Sequence, residues 1–261
     1  MIAAALAAAR ARDKLALVAY VTAGYPSPAR WLTCLHEIVS SGADIVEIGI
    51  PFSDPVADGP TIQHASERAL ALGTTLDGVL AALAAEPVGV PVCLMSYLNP
   101  LLALGGERAA VDRLAAAGVA GLVVPDLPVE EAGPWRAATA ARGVELVGLV
   151  APTSTASRVR RIAAGADVLY YVAVTGTTGA RADLDPDLVP SLERLGRLTD
   201  RPLVVGFGIA TPDHVRRLRG RCDGVVVGSR IVDALRRGEP VAPLIRQLEH
   251  ATRREPPCSS S

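Results

Sequence analysis

Lysine is nearly absent from this sequence: Lys14 is the only one in 261 residues. A Schiff-base aldolase needs an amine at its reacting centre, and Lys14 precedes even the first apolar run. Histidines are few and scattered, at His36, His64, His214 and His250. None has a second histidine at a ligand spacing, so they read as surface or helix residues, and a metal-dependent aldolase has nothing to build on. The cysteines, Cys34, Cys93, Cys222 and Cys258, form no C-x-x-C pair. That excludes a zinc ribbon or a disulfide framework and fits a reducing cytoplasm. The formal net charge is only −1, so neither nucleic acid nor a membrane surface is an expected partner. No segment is long and apolar enough to span a bilayer. The Ala-rich residues 1–9 carry no basic residue ahead of the apolar run, and Arg10, Arg12, Asp13 and Lys14 follow directly. A short amphipathic helix is expected there rather than a signal peptide.

Half of the residues are hydrophobic and 20% are charged, which suits a large buried core. Apolar runs rich in Val, Ile and Leu occur at 15–21, 44–48, 90–95, 119–124, 144–150, 168–174, 202–205 and 224–227. Their hydrophobicity is continuous rather than alternating, as a parallel strand buried on both faces requires. Between them lie stretches of helical period such as 29–40, 107–116, 130–141, 157–164, 186–198 and 212–218. About eight β–α units result, and the expected fold is a single-domain α/β (β/α)8 TIM barrel over residues 1–252. Residues 253–261 form a polar tail with Pro256-Pro257, expected to fray. An open doubly wound sheet is the competing fold. Its Gly-rich dinucleotide turn is missing, since the first turn reads Thr22-Ala23-Gly24-Tyr25-Pro26.

In a barrel the chemistry sits at the C-terminal ends of the strands, and Lys14 then lies at the opposite mouth. Glu47, in Val46-Glu47-Ile48-Gly49, is a carboxylate inside an apolar strand. Burial there is costly unless the group has a task or a structural partner. The following loop, Pro51-Phe52-Ser53-Asp54-Pro55-Val56-Ala57-Asp58-Gly59-Pro60-Thr61, is stiffened by prolines and adds Asp54 and Asp58, as reacting groups or as helix caps. The sixth strand carries Tyr170 and Tyr171, one facing the interior and the other the helices. It runs into Thr175-Gly176-Thr177-Thr178-Gly179-Ala180-Arg181, a composition suited to a closing lid. Gly206-Phe207-Gly208-Ile209 and Gly228-Ser229 end the seventh and eighth strands, where glycines and a helix start suit a phosphate. If this barrel makes or breaks a carbon–carbon bond, then with neither amine nor metal it must use acid–base groups, and the substrate must supply its own electron sink.

The stretch from Val46-Glu47-Ile48-Gly49-Ile50-Pro51-Phe52-Ser53-Asp54-Pro55 to Val56-Ala57-Asp58-Gly59-Pro60-Thr61-Ile62-Gln63 resembles the signature of tryptophan synthase alpha subunits. The likeness extends through Val21-Thr22-Ala23-Gly24, Asp126-Leu127-Pro128-Val129-Glu130-Glu131, Thr178-Gly179, Gly206-Phe207-Gly208-Ile209 and Gly228-Ser229-Arg230-Ile231-Val232. The resemblance implies retro-aldol cleavage of indole-3-glycerol phosphate to indole and glyceraldehyde 3-phosphate in tryptophan biosynthesis. It implies Glu47 and Asp58 as catalytic carboxylates and Tyr170 as the site tyrosine. By the same likeness Thr178 and Gly179 belong to the closing loop, Tyr97 and Phe207 to the indole pocket, and Gly208, Gly228 and Ser229 to the phosphate site. The implied partner is a beta subunit in an alpha2-beta2 complex. It would carry pyridoxal phosphate, and this chain would need no cofactor. Other readings stay open: a stand-alone lyase of the same family, a sister phosphate-binding barrel, or a non-catalytic regulatory phosphate-binding subunit.

Overall fold

The structure, a computed structural model, describes residues 1–172, 184–206 and 208–254. Within them the apolar runs become β1 (Ala16–Thr22), β2 (Ile45–Gly49), β3 (Val92–Met95), β4 (Val119–Val123), β5 (Glu145–Val150), β6 (Val168–Val172), β7 (Leu203–Gly206) and β8 (Gly224–Val227). Every neighbouring pair is parallel, and β8 returns to β1 through Ala16↔Gly224 and Ala19↔Val227. The sheet closes on itself and has no free edge, which is the expected barrel.

The helices are α1 (Ile2–Ala11), α2 (Pro28–Ser40), α3 (Pro60–Ala71), α4 (Leu76–Ala85), α5 (Leu98–Leu102) and α6 (Glu107–Ala116). They continue as α7 (Gly133–Arg142), α8 (Ala156–Gly165), α9 (Leu188–Gly196), α10 (Pro212–Leu218), α11 (Ser229–Arg236) and α12 (Val241–Thr252). The expected bounds at 107–116, 212–218 and 224–227 are the observed ones, and most others move by one or two residues. The largest difference at a helix start is α7. Glu131 N–H donates to Pro128 O in a turn at 2.9 Å, and the helix begins only at Gly133, with Pro134 in its first turn. A proline is harmless there because a first-turn N–H has no intrahelical partner. The run expected to extend to residue 174 is strand to Val172 and then leaves the described residues.

The N-terminal mouth is floored by α1, which buries Ile2, Leu6 and Ala9. Ile2 reaches Gly121 of β4 and Leu6 reaches Gly224 of β8, so the short Ala-rich helix fills the bottom of the barrel. Its Ala3 N–H donates to Glu145 Oε2 at 2.9 Å, a negative charge where the helix dipole favours one. A repeated clip pins the strand starts. Asp44, Asp167 and Asp223, each one residue before a strand, accept from the N–H of Leu17, Leu146 and Leu203 in the preceding strand at 2.9, 2.9 and 2.8 Å. Lys14 is buried at this floor between Asp44 (3.0 Å) and Glu249 (3.2 Å). Of the polar tail expected from Arg253 onward, Arg253 pairs with Glu249 at 2.8 Å, and residues 255–261 lie outside the described residues.

Candidate active site

The opposite mouth holds the candidate chemistry. Glu47 lies in register with Tyr20 of β1 and Cys93 of β3. Strand alternation sends Val46 and Ile48 toward the helices and Glu47 inward. It is 2% exposed. Burial among apolar groups, reinforced by the charge of Asp58, pushes its pKa up to about 8. A carboxyl that gives and takes a proton near neutral pH is the result.

Asp58 comes from the loop after β2, immediately before the start of α3. The loop is held by internal bonds: Asp58 N–H to Pro55 O at 3.0 Å and Gln63 Nε2 to Asp58 O at 2.8 Å. Tyr97, at the end of β3, completes the anchor. Its hydroxyl accepts from Ala57 N–H at 2.9 Å and bonds the Asp58 carboxylate, while its ring lies 5.3 Å from that of Phe52. Burial raises the Asp58 pKa to about 6, against the lowering effect of the Tyr97 hydroxyl. Tyr97 therefore stands against Asp58, a residue of the cleft wall, and holds the loop that carries it. Asp54, by contrast, is exposed and bonds Ser53 at 2.5 Å.

Tyr170 faces the cleft and Tyr171 does not, as the alternation required. Burial, then the Glu47 charge, holds the Tyr170 phenol well above its usual range, so it stays protonated as a donor. Tyr20 is a second cleft phenol that sequence reasoning missed. Its burial and the charge of Asp58 push it up likewise. The two are placed by one device. Tyr20 lies over Gly49 of the next strand and Tyr170 over Gly206 of its own next strand, and a Cβ on either glycine would collide with the hydroxyl. The only sequence signal for Tyr20 was a polar aromatic near a strand end; its register opposite Glu47 comes from the sheet.

Across the cleft, Gly208, Gly228 and Ser229 converge as expected, joined by Ile209, Ala210 and Arg230. Gly228 is the N-cap of α11, so the positive end of that helix points its free N–H groups at the cleft. His214, read from sequence as a plain helix histidine, is 3% exposed. Its Nδ1 lies 3.1 Å from Gly208 O and 3.3 Å from Ala210 N, which fixes the turn that carries Gly208. Ile62 and Met95 add apolar side chains to the cleft lining. Thr178, Gly179 and Phe207, the remaining expected site residues, lie outside the described residues.

The comparison with known proteins agrees over nearly the whole chain. A family model described as tryptophan synthase alpha chain matches residues 6–255. This chain belongs to that family. It is 48% identical over 229 residues to a tryptophan synthase alpha chain of Geobacter sp. (strain M21), covering 87% of this chain and 85% of the relative. It is 43% identical over 255 residues to that of Chloroflexus aggregans, covering 94% and 95%. In three dimensions it is similar to a chain of Mycobacterium tuberculosis tryptophan synthase, with a TM-score of 0.90, 35% identity and coverage of 97% and 98%. It is similar also to the tryptophan synthase subunit alpha of Legionella pneumophila, at a TM-score of 0.85, 33% identity and coverage of 95% and 97%. Tryptophan synthase alpha chains are lyase-type enzymes, and the family places this barrel in tryptophan biosynthesis. Among the described residues no single helix is long and apolar enough to cross a membrane.

Proposed function

We propose that this chain cleaves indole-3-glycerol phosphate by acid–base chemistry, with Glu47 as the proton-transfer group and Asp58 as the acceptor of the indole N–H. The observation that carries this reading is a buried carboxyl, Glu47, and a half-buried one, Asp58, with pKa values raised to about 8 and about 6, facing a helix N-terminus across one cleft. The phosphate would sit against the N–H groups at Gly208, Gly228 and Ser229, and the indole ring would lie toward Asp58. Binding energy from the phosphate then positions the distant reacting bond.

The proton balance closes on one residue. The neutral Glu47 carboxyl gives its proton to indole C3, and the ring becomes an iminium-like electron acceptor. Asp58, ionised, steadies the positive charge at the ring N–H. Glu47, now a carboxylate, takes the proton of the side-chain hydroxyl as the carbon–carbon bond breaks. Its electron pair returns to the indole ring, an aldehyde forms, and Glu47 is again protonated. Tyr170 stays a neutral donor beside these groups. Support for a route without a Schiff base is the position of Lys14, buried in ion pairs at the other mouth. Support for a route without a metal is that, among the described residues, no group of three or more His, Cys, Asp or Glu could hold one.

We infer also a beta chain as partner, bringing the pyridoxal phosphate chemistry that consumes indole. The Asp58 loop supports this: Val56 is 85% exposed, an apolar side chain left in solvent beside the residues that hold Asp58. The test is release of indole and glyceraldehyde 3-phosphate from indole-3-glycerol phosphate by the purified chain. Glu47→Gln is expected to bind substrate and lose roughly 10²–10⁴-fold in turnover. Near-normal turnover in the folded variant would remove Glu47 from the mechanism.

A further inference from the structure

A second cavity, of about 670 Å³, opens at the N-terminal mouth, on the far side of the barrel from Glu47. Its wall is formed by the connections that lead into β7 and β8 and by the ends of α1 and α12. Its charge is out of keeping with a chain of net −1. Arg201, Arg219 and Arg221 line it and, among the described residues, make no salt bridge. The other cations of the wall are already neutralised. Arg10 pairs with Asp223 at 3.5 Å, Arg254 with Asp13 at 3.4 Å, and Lys14 with Asp44 and Glu249. The one remaining wall carboxylate, Asp200, has no ion pair among the described residues. Among the described residues, three guanidinium groups without a salt bridge thus share the cavity with one such carboxylate, an excess of two positive charges.

The guanidinium groups are held in place. Arg201 Nε donates to Ala163 O of α8 at 3.1 Å, and Arg219 Nε to Ala251 O of α12 at 2.8 Å. Arg221 Nη1 donates to Arg217 O of α10 at 3.2 Å. Each acceptor is in the last turn of its helix, so capping of C-terminal carbonyls explains why arginines stand here. Capping does not use them up, because it takes one N–H of the five on Arg201 and one of the five on Arg219. What remains is a set of planar donors around a space of ligand size.

We propose that this cavity is a second anion site, distinct from the catalytic cleft, which takes a small, multiply charged phosphate compound of the diphosphate type. The forked guanidinium groups match phosphate oxygens in pairs, and the charge excess of the wall matches a dianionic ligand. A bound diphosphate would bridge the α9–β7 and α10–β8 connections, adding to the Leu203–Asp223 bonds that already join them.

Inorganic pyrophosphate, titrated calorimetrically into the full chain at low salt, tests this. The wild type is expected to bind it, and added sodium chloride to weaken it. The double variant Arg201→Gln/Arg221→Gln should bind at least about tenfold more weakly, the scale of lost charged hydrogen bonds. Gly228→Val, which blocks the anion end of the cleft, should keep a pyrophosphate site of wild-type affinity. Arg219 is left intact because it ties α10 to α12. If the double variant does not fold, Arg221→Gln alone, exposed at the rim, is expected to give a smaller loss in the same direction. Absence of binding by the wild type, equal binding by the arginine variants, or loss of all binding in Gly228→Val would overturn the proposal. None of these readouts depends on indole release.

Discussion

At the scale of single residues, the site rests on two carboxyls moved in the same direction by the same cause. Desolvation raises Glu47 to about 8 and Asp58 to about 6. In the proposed cycle Glu47 must begin protonated, which holds below about pH 8, and Asp58 must be ionised, which holds above about pH 6. Turnover should therefore follow a bell with its plateau between those values. Tyr97 offers a sharper check. Its hydroxyl bond lowers the Asp58 pKa, so in Tyr97→Phe that stabilisation of the carboxylate is lost and the Asp58 pKa rises. The acid limb of the profile should move to higher pH while the alkaline limb, set by Glu47, stays in place. A pH–rate profile with an unmoved acid limb would detach Asp58 from the rate. Glu47 itself was legible in the sequence because a carboxylate in an apolar strand stands out; Tyr20 and His214 were not, because a tyrosine at a strand end and a histidine in a helix have ordinary structural uses.

Secondary-structure elements carry the proposed anion end of the cleft. The glycines at the ends of β7 and β8 and the start of α11 were legible because a phosphate needs close backbone approach and a helix N-terminus. Gly228 has a second constraint that only packing reveals: a Cβ there would lie 3.2 Å from Tyr20 Cδ1. Gly228→Val is accordingly expected to raise the Michaelis constant for the phosphate substrate sharply and to weaken inhibition by glycerol phosphate. Inhibition equal to wild type would place the anion elsewhere. Tyr97 shows a contact that only the fold reveals, since what meets a residue just past a strand end depends on which loop folds over it. Here the Asp58 loop covers it and takes its hydroxyl.

For the whole molecule, the expected consequence of a beta-chain partner is activation. The Asp58 loop is stiff in sequence but exposes Val56 and Asp54, and a partner covering it can favour the arrangement in which Asp58 faces the cleft. Such a partner raises turnover only by the population of competent chain it adds. If the free chain is competent about 1% of the time, the gain approaches about 100-fold. Indole release at saturating substrate, measured with and without a cognate beta chain, checks this. High activity that no beta chain changes would favour a stand-alone lyase.

By itself the sequence determined the barrel and the identity of its principal carboxylates. Continuous apolar runs separated by helical stretches leave few ways to bury both faces of every strand, and closure is the one that removes all edges. A lone lysine ahead of the first strand and scattered histidines carry the proposal of a route without a Schiff base or a metal. Tertiary structure alone decided the rest. Register across β1 and β2 set Tyr20 against Glu47, the packing of rings over Gly49 and Gly206 placed both phenols, and the ends of α8 and α12 held Arg201 and Arg219 at one floor cavity. These are meetings between residues far apart in the chain. Their positions follow from strand stagger and helix packing, which local composition and periodicity do not encode.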